Sequence, residues 1–124
     1  MSLRSRVGWA FLLVGLLSAC GSDSPSAPST ASSGTSGTPV SIVSGASTMT
    51  TTAYSPNPLN VTVGTTVTWT NNDNTSHTST AINGQWSSPL IGPSGQFSTT
   101  FTTAGSFSYH CTIHPGMVGT VNVQ

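Results

Sequence analysis

The sequence predicts an all-β domain over residues 40–124, built as a sandwich or barrel of seven or eight short strands. Two observations support this. Runs rich in valine, threonine and aromatic residues recur at short intervals, and no segment shows a helical period. Turn-forming residues separate the runs, for example at 56–58, 71–74 and 104–105. Many short strands divided by such turns are typical of sandwiches and barrels.

The predicted strands span, in chain order, residues 40–44, 48–54, 60–63, 65–71, 77–82, 96–102, 106–111 and 119–123. Side chains alternate between the two faces of a strand, so sequence parity predicts which ones enter the core. In the seventh run Phe107, Tyr109 and Cys111 share the inner face and His110 points outward. The alternation of the eighth run, continued toward the N-terminus two residues at a time, places Met117 on the inner face as well. Both sulfurs are therefore expected at one interior site.

The N-terminus carries an export signal. Arg4 and Arg6 precede an apolar run at 7–17 that is too short to span a membrane. Residues 17–20, Leu-Ser-Ala-Cys, resemble the lipobox of bacterial lipoproteins. Residues 1–19 are therefore predicted to be a lipoprotein signal peptide, and Cys20 the lipidated residue that anchors the chain in a membrane. The alternative is an ordinary secretory signal followed by a chance cysteine.

Residues 20–39 form a tract of Ser, Thr, Gly, Ala and Pro without hydrophobic period, which predicts a disordered linker between the lipidated Cys20 and the domain. The residue directly after Cys20 is Gly21, and not the Asp that favours inner-membrane retention in some bacteria. We therefore expect a location in the cell envelope, on the outer membrane facing the periplasm, or on the outer face of the plasma membrane in a Gram-positive cell. No disulfide is expected, since Cys20 and Cys111 each have another predicted role.

Charge excludes several function classes. Beyond Arg6 the chain has no lysine or arginine, and its only acids are Asp23 and Asp73. Nucleic-acid binding needs a basic surface, so it is not expected. Phosphate-binding loops and paired carboxylates are also absent from the sequence.

A metal site is indicated by Cys111, His114 and Met117, which have the spacing C-x2-H-x2-M, together with the upstream His77. Two imidazoles, one thiolate and a weak thioether are the ligand set of a blue-copper electron-transfer site. His77, Cys111 and His114 alone could bind zinc with a water. Met117 favours copper, because a thioether is a soft ligand.

Several segments carry a family resemblance: 54–56 (YSP), 61–73 (VTVGTTVTWTNND), His77-Thr78, 105–111 (GSFSYHC) and 114–117 (HPGM). Together they resemble the small cupredoxins, the blue copper proteins of plastocyanin and amicyanin type, over essentially all of 40–124. The short ligand loop with a proline after its histidine is most similar to the amicyanin type. Plastocyanins use a longer loop.

The resemblance implies a Greek-key β-sandwich with one type 1 copper. His77, Cys111 and His114 would be equatorial ligands, and Met117 the weak axial ligand. Electrons would enter and leave through an apolar surface at His114, Pro115 and Gly116, in weak contacts of a monomer with redox proteins. The family usually has Asn after its first ligand histidine. This chain has Thr78 instead, so Thr78 and Thr112 are expected to support the ligands differently.

With four protein ligands there is no open position for a substrate, so the sequence predicts an electron carrier and not an enzyme. An oxidase or reductase of this family would need further copper ligands, and His110 is the only spare histidine. Two alternatives stay open at this point. One is a copper scavenger or chaperone of the cell envelope that uses the same ligands. The other is a structural β-sandwich module.

Overall fold

Eight strands and one short 3₁₀ helix make up the domain in the computed structural model, which describes residues 37–124. Valine, isoleucine, threonine and aromatic residues recur in the strands, and turn residues lie between them. The strands are β1 Thr38–Ile42, β2 Tyr54–Ser55, β3 Leu59–Val61, β4 Thr66–Asn71, β5 Thr80–Ala81, β6 Gln96–Thr100, β7 Gly105–His110 and β8 Val118–Val123, with the 3₁₀ helix at Ala46–Thr48.

The strands form two four-stranded sheets, in the orders β2-β1-β4-β6 and β3-β8-β7-β5. The pairs β1–β4 and β3–β8 are parallel, and the remaining pairs are antiparallel. Several neighbours in space are far apart in sequence, as Greek-key connections require. The predicted all-β sandwich of seven or eight strands is therefore confirmed.

Alternation along β7 and β8 builds the core below the predicted site. Phe107, Tyr109 and Cys111 are buried, whereas the residues between them are exposed or half-buried. Tyr109 packs edge-on against Trp69 of the other sheet, with ring centroids 5.5 Å apart, and lies 5.8 Å from Trp86. Parity had predicted this face correctly. These aromatic contacts hold the two sheets together directly beneath Cys111.

The outer faces of both sheets carry hydroxyl and amide side chains that hydrogen-bond from strand to strand. Thr66 and Thr68 of β4 bond to Thr100 and Ser98 of β6, over 2.7 and 2.8 Å. In the other sheet Ser106 donates to Asn122 over 2.8 Å. These polar pairs link neighbouring strands in the places where other sheets use charged side chains.

Residues 48–54 were predicted to be a strand, and this was wrong. The chain turns at Gly45, whose φ is 79°, and the turn continues into the 3₁₀ helix. Hydrogen bonds within the turn, such as Ala53 N–H to Thr50 C=O at 3.3 Å, satisfy the backbone in place of a strand partner. Only Tyr54–Ser55 pairs with β1. The high strand propensity of the threonine run was overridden by local turn bonding.

Two other boundaries differ from the prediction. β1 begins at Thr38, two residues before the predicted domain start, because Thr38 and Pro39 pair in register with Val67 and Thr68 of β4. In the predicted strand at 77–82, only Thr80–Ala81 is regular strand. Its first residue, His77, instead forms an isolated bridge with Ile91.

The predicted signal peptide, Cys20 and residues 20–36 of the predicted linker lie outside the described residues. Within residues 37–124, no helix combines the length and the apolar character needed to cross a membrane.

Gly119 of β8 allows the two facing strands to pack closely, and this gives the first prediction. Gly119 lies opposite Tyr109 in the β7–β8 pairing, and a Cβ on it would overlap the buried tyrosine ring. Gly119→Ala is therefore expected to lower the free energy of unfolding by about 1–3 kcal/mol, the usual cost of overpacking. Denaturant unfolding followed by tryptophan fluorescence measures this change.

The matched control is Gly92→Ala. The nearest atom that its Cβ would meet is the Ser76 hydroxyl, at 4.0 Å. The free energy of unfolding should therefore change by a few tenths of a kcal/mol at most. Equal effects of the two substitutions would contradict the close-packing account.

Candidate metal centre

His77 is fixed by its backbone. It lies between β4 and β5, where its N–H donates to the Ile91 carbonyl over 3.1 Å and its own carbonyl accepts from the Ile91 N–H over 2.8 Å. The side chain is fully buried. A doubly bonded backbone and an enclosed ring leave the imidazole little freedom to change position.

The other predicted ligands lie on the loop between β7 and β8. The Cys111 N–H donates to the Met117 carbonyl over 3.1 Å, and the Met117 N–H donates to the His114 carbonyl over 2.9 Å. These bonds close the loop, and they place Cys111 and Met117 side by side at the end of the sandwich. Both residues are fully buried, whereas His114 is half-buried.

Three ligand atoms converge at this end of the domain. The Cys111 sulfur lies 3.9 Å from His77 Nδ1 and 3.7 Å from His114 Nδ1. All three atoms lie within 4.8 Å of one another. Such separations match ligands that share one ion through bonds of about 2.0–2.3 Å, the lengths that imidazole nitrogen and thiolate sulfur form with a metal of this kind. The residues present therefore fit a bound metal ion.

Copper fits this donor set better than zinc. A buried thiolate and two imidazoles suit both metals, but the fully buried Met117 belongs to the same closed loop. Thioether is a soft donor typical of copper sites and is not among the usual zinc ligands. His110, at the end of β7, is not part of the group, as parity predicted.

Thr78 joins the two segments that carry the ligands. Its backbone N–H donates to the Cys111 sulfur over 3.3 Å. Its hydroxyl accepts from the Thr112 N–H over 2.9 Å and lies 3.2 Å from the Thr112 hydroxyl. Thr78 thus links the two segments through its side chain at the position where the resemblance led us to expect Asn. The residue type differs from the one expected from the resemblance, but the two segments remain linked.

Asp73 is a functional residue that sequence reasoning missed. Its Oδ2 lies 2.8 Å from His77 Nε2, and the pair is almost completely buried. A hydrogen bond from the Gly45 N–H, followed by one from His77, lowers the pKa of Asp73 to about 2. The carboxylate is therefore ionised at neutral pH and can only accept hydrogen bonds. His77 must carry its proton on Nε2, which leaves the Nδ1 lone pair free to bind the metal.

A signal for Asp73 existed in the sequence. It is the only acid after Asp23, it precedes the predicted ligand His77 by four residues, and no lysine or arginine follows Arg6 in the sequence. A carboxylate without a cation, so close to a metal ligand, is a candidate to orient that ligand.

Tyr54 was also missed as a supporting residue. Its buried hydroxyl donates to the Thr78 carbonyl over 2.6 Å, and burial raises the pKa of this phenol, which keeps it protonated. Its ring packs edge-on against Tyr109, with centroids 4.7 Å apart. The residue therefore connects the ligand segment at Thr78 to the aromatic core.

The residues that flank His114 in its loop carry no charge, and most of them are apolar. Ile113 is 49% exposed and Leu90 is 63% exposed, and Pro115 and Gly116 are exposed as well. Leu90 directly precedes Ile91, the residue that is bonded to His77. His114, half-buried, is thus the predicted ligand that lies nearest to solvent.

A β-sandwich that gathers a buried thiolate and two imidazoles at one end defines a small copper-binding domain. Comparison with known proteins agrees. The chain belongs to the plastocyanin/azurin family of copper-binding proteins, whose pattern matches residues 40–124. The resemblance to cupredoxins and the assignment of copper as cofactor are therefore confirmed.

Among individual relatives, amicyanin of Paracoccus denitrificans is 38% identical over 76 residues, which cover 57% of this chain and 58% of that protein. A purple cupredoxin from Nitrosopumilus maritimus matches with a TM-score of 0.65 and 35% identity, over 70% of this chain and 99% of the other. A proline-to-glycine variant of amicyanin in its reduced Cu(I) form gives a TM-score of 0.60 and 34% identity, over 72% and 83% of the two chains.

The support from Thr78 gives the second prediction. Thr78→Val keeps the shape but removes the acceptor of the Thr112 N–H, so the free energy of unfolding should fall by about 1–3 kcal/mol. The visible spectrum of the copper-loaded protein should shift as well, because the Cys111 segment loses a restraint.

Thr78→Ser is the matched control for this experiment. It keeps the hydroxyl and should retain both the stability and the spectrum of the parent, within a few tenths of a kcal/mol. If valine and serine behaved alike, the hydroxyl bridge would not be what supports the site.

Proposed function

We propose that the protein is a membrane-tethered type 1 copper protein that carries single electrons between redox partners. The observation that supports this most is the enclosure of the donor set: His77, Cys111 and Met117 are fully buried in the sandwich. Copper supplies a one-electron change between Cu(I) and Cu(II) when it is bound. The protein residues hold the donors in place while that change occurs.

Each donor has a defined task in this proposal. His77 and His114 present Nδ1 toward the Cys111 sulfur, and Met117 would supply a fourth, weak thioether ligand. The Thr78 N–H donates to the Cys111 sulfur and so helps to fix its position. If these four residues held the ion, protein atoms would fill all four positions and no place would remain for a substrate. This arrangement supports a carrier and not an enzyme.

Electrons are proposed to pass through His114. It is the half-buried ligand, and exposed Ile113, Leu90, Pro115 and Gly116 belong to the segments around it. An apolar, charge-free surface fits brief contacts that bury less than about 1,200 Å² with a redox protein. The protein is proposed to act as a monomer.

Copper titration tests the proposed site directly. Cu(II) added to the protein is expected to give an intense blue thiolate-to-copper absorption band and a narrow parallel hyperfine splitting by EPR. Ascorbate should bleach the band reversibly. Cys111→Ser removes the thiolate and should abolish the band, while His110→Ala, outside the donor group, should leave it intact.

A pale product with ordinary square-planar EPR would contradict the electron-transfer proposal. Copper scavenging or chaperone activity would then be the better account, especially if the protein bound Cu(I) and failed to exchange electrons.

Docking through an uncharged surface predicts electron exchange that depends weakly on salt. Electron self-exchange between reduced and oxidised copies, measured by NMR line broadening, should change less than about twofold as ionic strength rises from roughly 0.01 to 0.15 M, although the Debye length falls from about 30 to 8 Å. Residues 37–124 contain no lysine, arginine or glutamate that could steer the encounter.

Ile113→Lys places a charge beside His114 and should slow self-exchange by about fivefold, equivalent to roughly 1 kcal/mol. The control is Val63→Lys, in the turn between β3 and β4, where the exposed fraction of 50% is matched to the 49% of Ile113. A steep salt dependence of the parent, or equal effects of both lysines, would overturn the docking proposal.

Tethering is proposed from the lipobox-like residues 17–20, since Cys20 lies outside the described residues. The expected location is the cell envelope, with the domain facing the periplasm from the outer membrane, or lying outside the plasma membrane of a Gram-positive cell. Cys20→Ser should move the protein from the membrane fraction to the soluble fraction. If Cys20→Ser stayed in the membrane fraction, the proposed lipid anchor would be disproved.

A further inference from the structure

One carboxylate stands alone in this domain, beside a metal ligand. Asp73 is the only acidic side chain in residues 37–124, and that part of the chain contains no lysine or arginine. Its side chain is 4% exposed and bonds to the fully buried His77. A buried charge is costly unless it is paired and hydrogen-bonded, so its presence calls for a specific role.

The position of Asp73 is determined by several bonds. Oδ1 accepts from the Gly45 N–H over 3.0 Å and from the Asn74 N–H over 2.8 Å, while Oδ2 accepts from His77. The Asp73 N–H itself donates to the Asn71 side chain over 2.9 Å. The two backbone donors keep the carboxylate ionised and aimed at the ring of His77.

The charge of this carboxylate is not balanced by any cationic side chain in the described part of the chain. With the Cys111 thiolate and the Asp73 carboxylate, a site holding Cu(II) has a net charge of zero, and a site holding Cu(I) has a net charge of −1. Burial lowers the local dielectric and strengthens the interaction between these charges. The hydrogen bond from Nε2 to the carboxylate also makes His77 a more basic ligand. Both effects favour the more highly charged ion.

We propose that Asp73 is a positioning residue that sets the redox preference of the copper site, stabilising Cu(II) relative to Cu(I) through His77. This inference rests on the proposed function for its copper site, but it concerns relative affinity and does not require that electrons be shuttled. His114 has no corresponding carboxylate, because Asp73 is the only acid among the described residues. A single substitution can therefore test the effect without a second acid compensating.

The first experiment compares the affinities of the protein for Cu(II) and Cu(I), measured by competition with chelators of known affinity, and the midpoint potential. Asp73→Asn keeps the size of the side chain and removes its charge. We expect Cu(II) affinity to fall by about 10–100-fold, the usual loss when a ligand's hydrogen-bond partner is removed. Cu(I) affinity should fall at least tenfold less, which corresponds to a rise in potential of about 59 mV or more. Asp73→Glu keeps the charge, so its ratio of Cu(II) to Cu(I) affinity should stay close to that of the parent protein.

A second variant leaves every bond of Asp73 in place. Asn74 is exposed and contributes its backbone N–H to Oδ1, so Asn74→Lys adds a nearby positive charge without removing that donor. It should shift the affinity ratio in the same direction as Asp73→Asn, by less, and the shift should shrink as salt is added. Thr102→Lys, exposed in the turn between β6 and β7, is the matched control and should not change the ratio.

Equal losses of Cu(II) and Cu(I) affinity in Asp73→Asn would show that Asp73 only supports the structure, and would overturn the inference. If Asp73→Asn fails to fold, an unchanged ratio in Asn74→Lys overturns it equally. The proposed function fails separately, when the parent protein lacks the intense blue band. A blue parent whose affinity ratio does not respond to these variants would refute the redox role of Asp73 alone.

Discussion

The metal site depends on the contact between the end of β7 and the segment that follows His77. The two segments belong to distant parts of the chain. Each carries predicted ligands, and neither segment alone could form the site. Thr78 joins them through its N–H to the Cys111 sulfur and its hydroxyl to the Thr112 backbone. Tyr54 secures this junction to the aromatic core through the Thr78 carbonyl. The packing of the two sheets therefore helps to set the distances between the donor atoms.

Electrostatics in this domain is concentrated at one place. Most small proteins distribute charges over their surface, where solvent screens each of them. Here a single buried carboxylate bonds to a buried predicted ligand. The described residues contain no other acidic side chain and no lysine or arginine. The properties of the centre are therefore controlled locally, by the few groups in contact with His77 and Cys111, rather than by the field of the whole protein.

Much of this could be predicted from the sequence because period-two alternation is a strong local signal. It predicted that Phe107, Tyr109 and Cys111 face inward, and the ligand spacing predicted that His114 would meet Cys111. Both are found in the structure. The pattern could not reveal that Asp73 bonds to His77, because that contact depends on the turn between them. Nor could it predict the turn at Ala46–Thr48, where bonds within the segment outweigh strand propensity.

The replacement of the family's Asn by Thr78 illustrates the same limit. Residue type suggested that support for the ligand segments would differ, and the structure shows hydrogen bonds from the Thr78 hydroxyl to Thr112 that join the two segments. A sequence specifies which groups are available. Which groups lie within hydrogen-bonding distance is decided by the packing of Tyr54 and the core below.

The strand-to-strand pairs on the outer faces have a consequence for the conditions that the domain can tolerate. Thr66 with Thr100, Thr68 with Ser98, and Ser106 with Asn122 join their strands through groups that neither gain nor lose a proton in ordinary water. Dissolved ions do not weaken them as they weaken ion pairs. The sheets should keep the same register in fresh water, in brine and in mild acid.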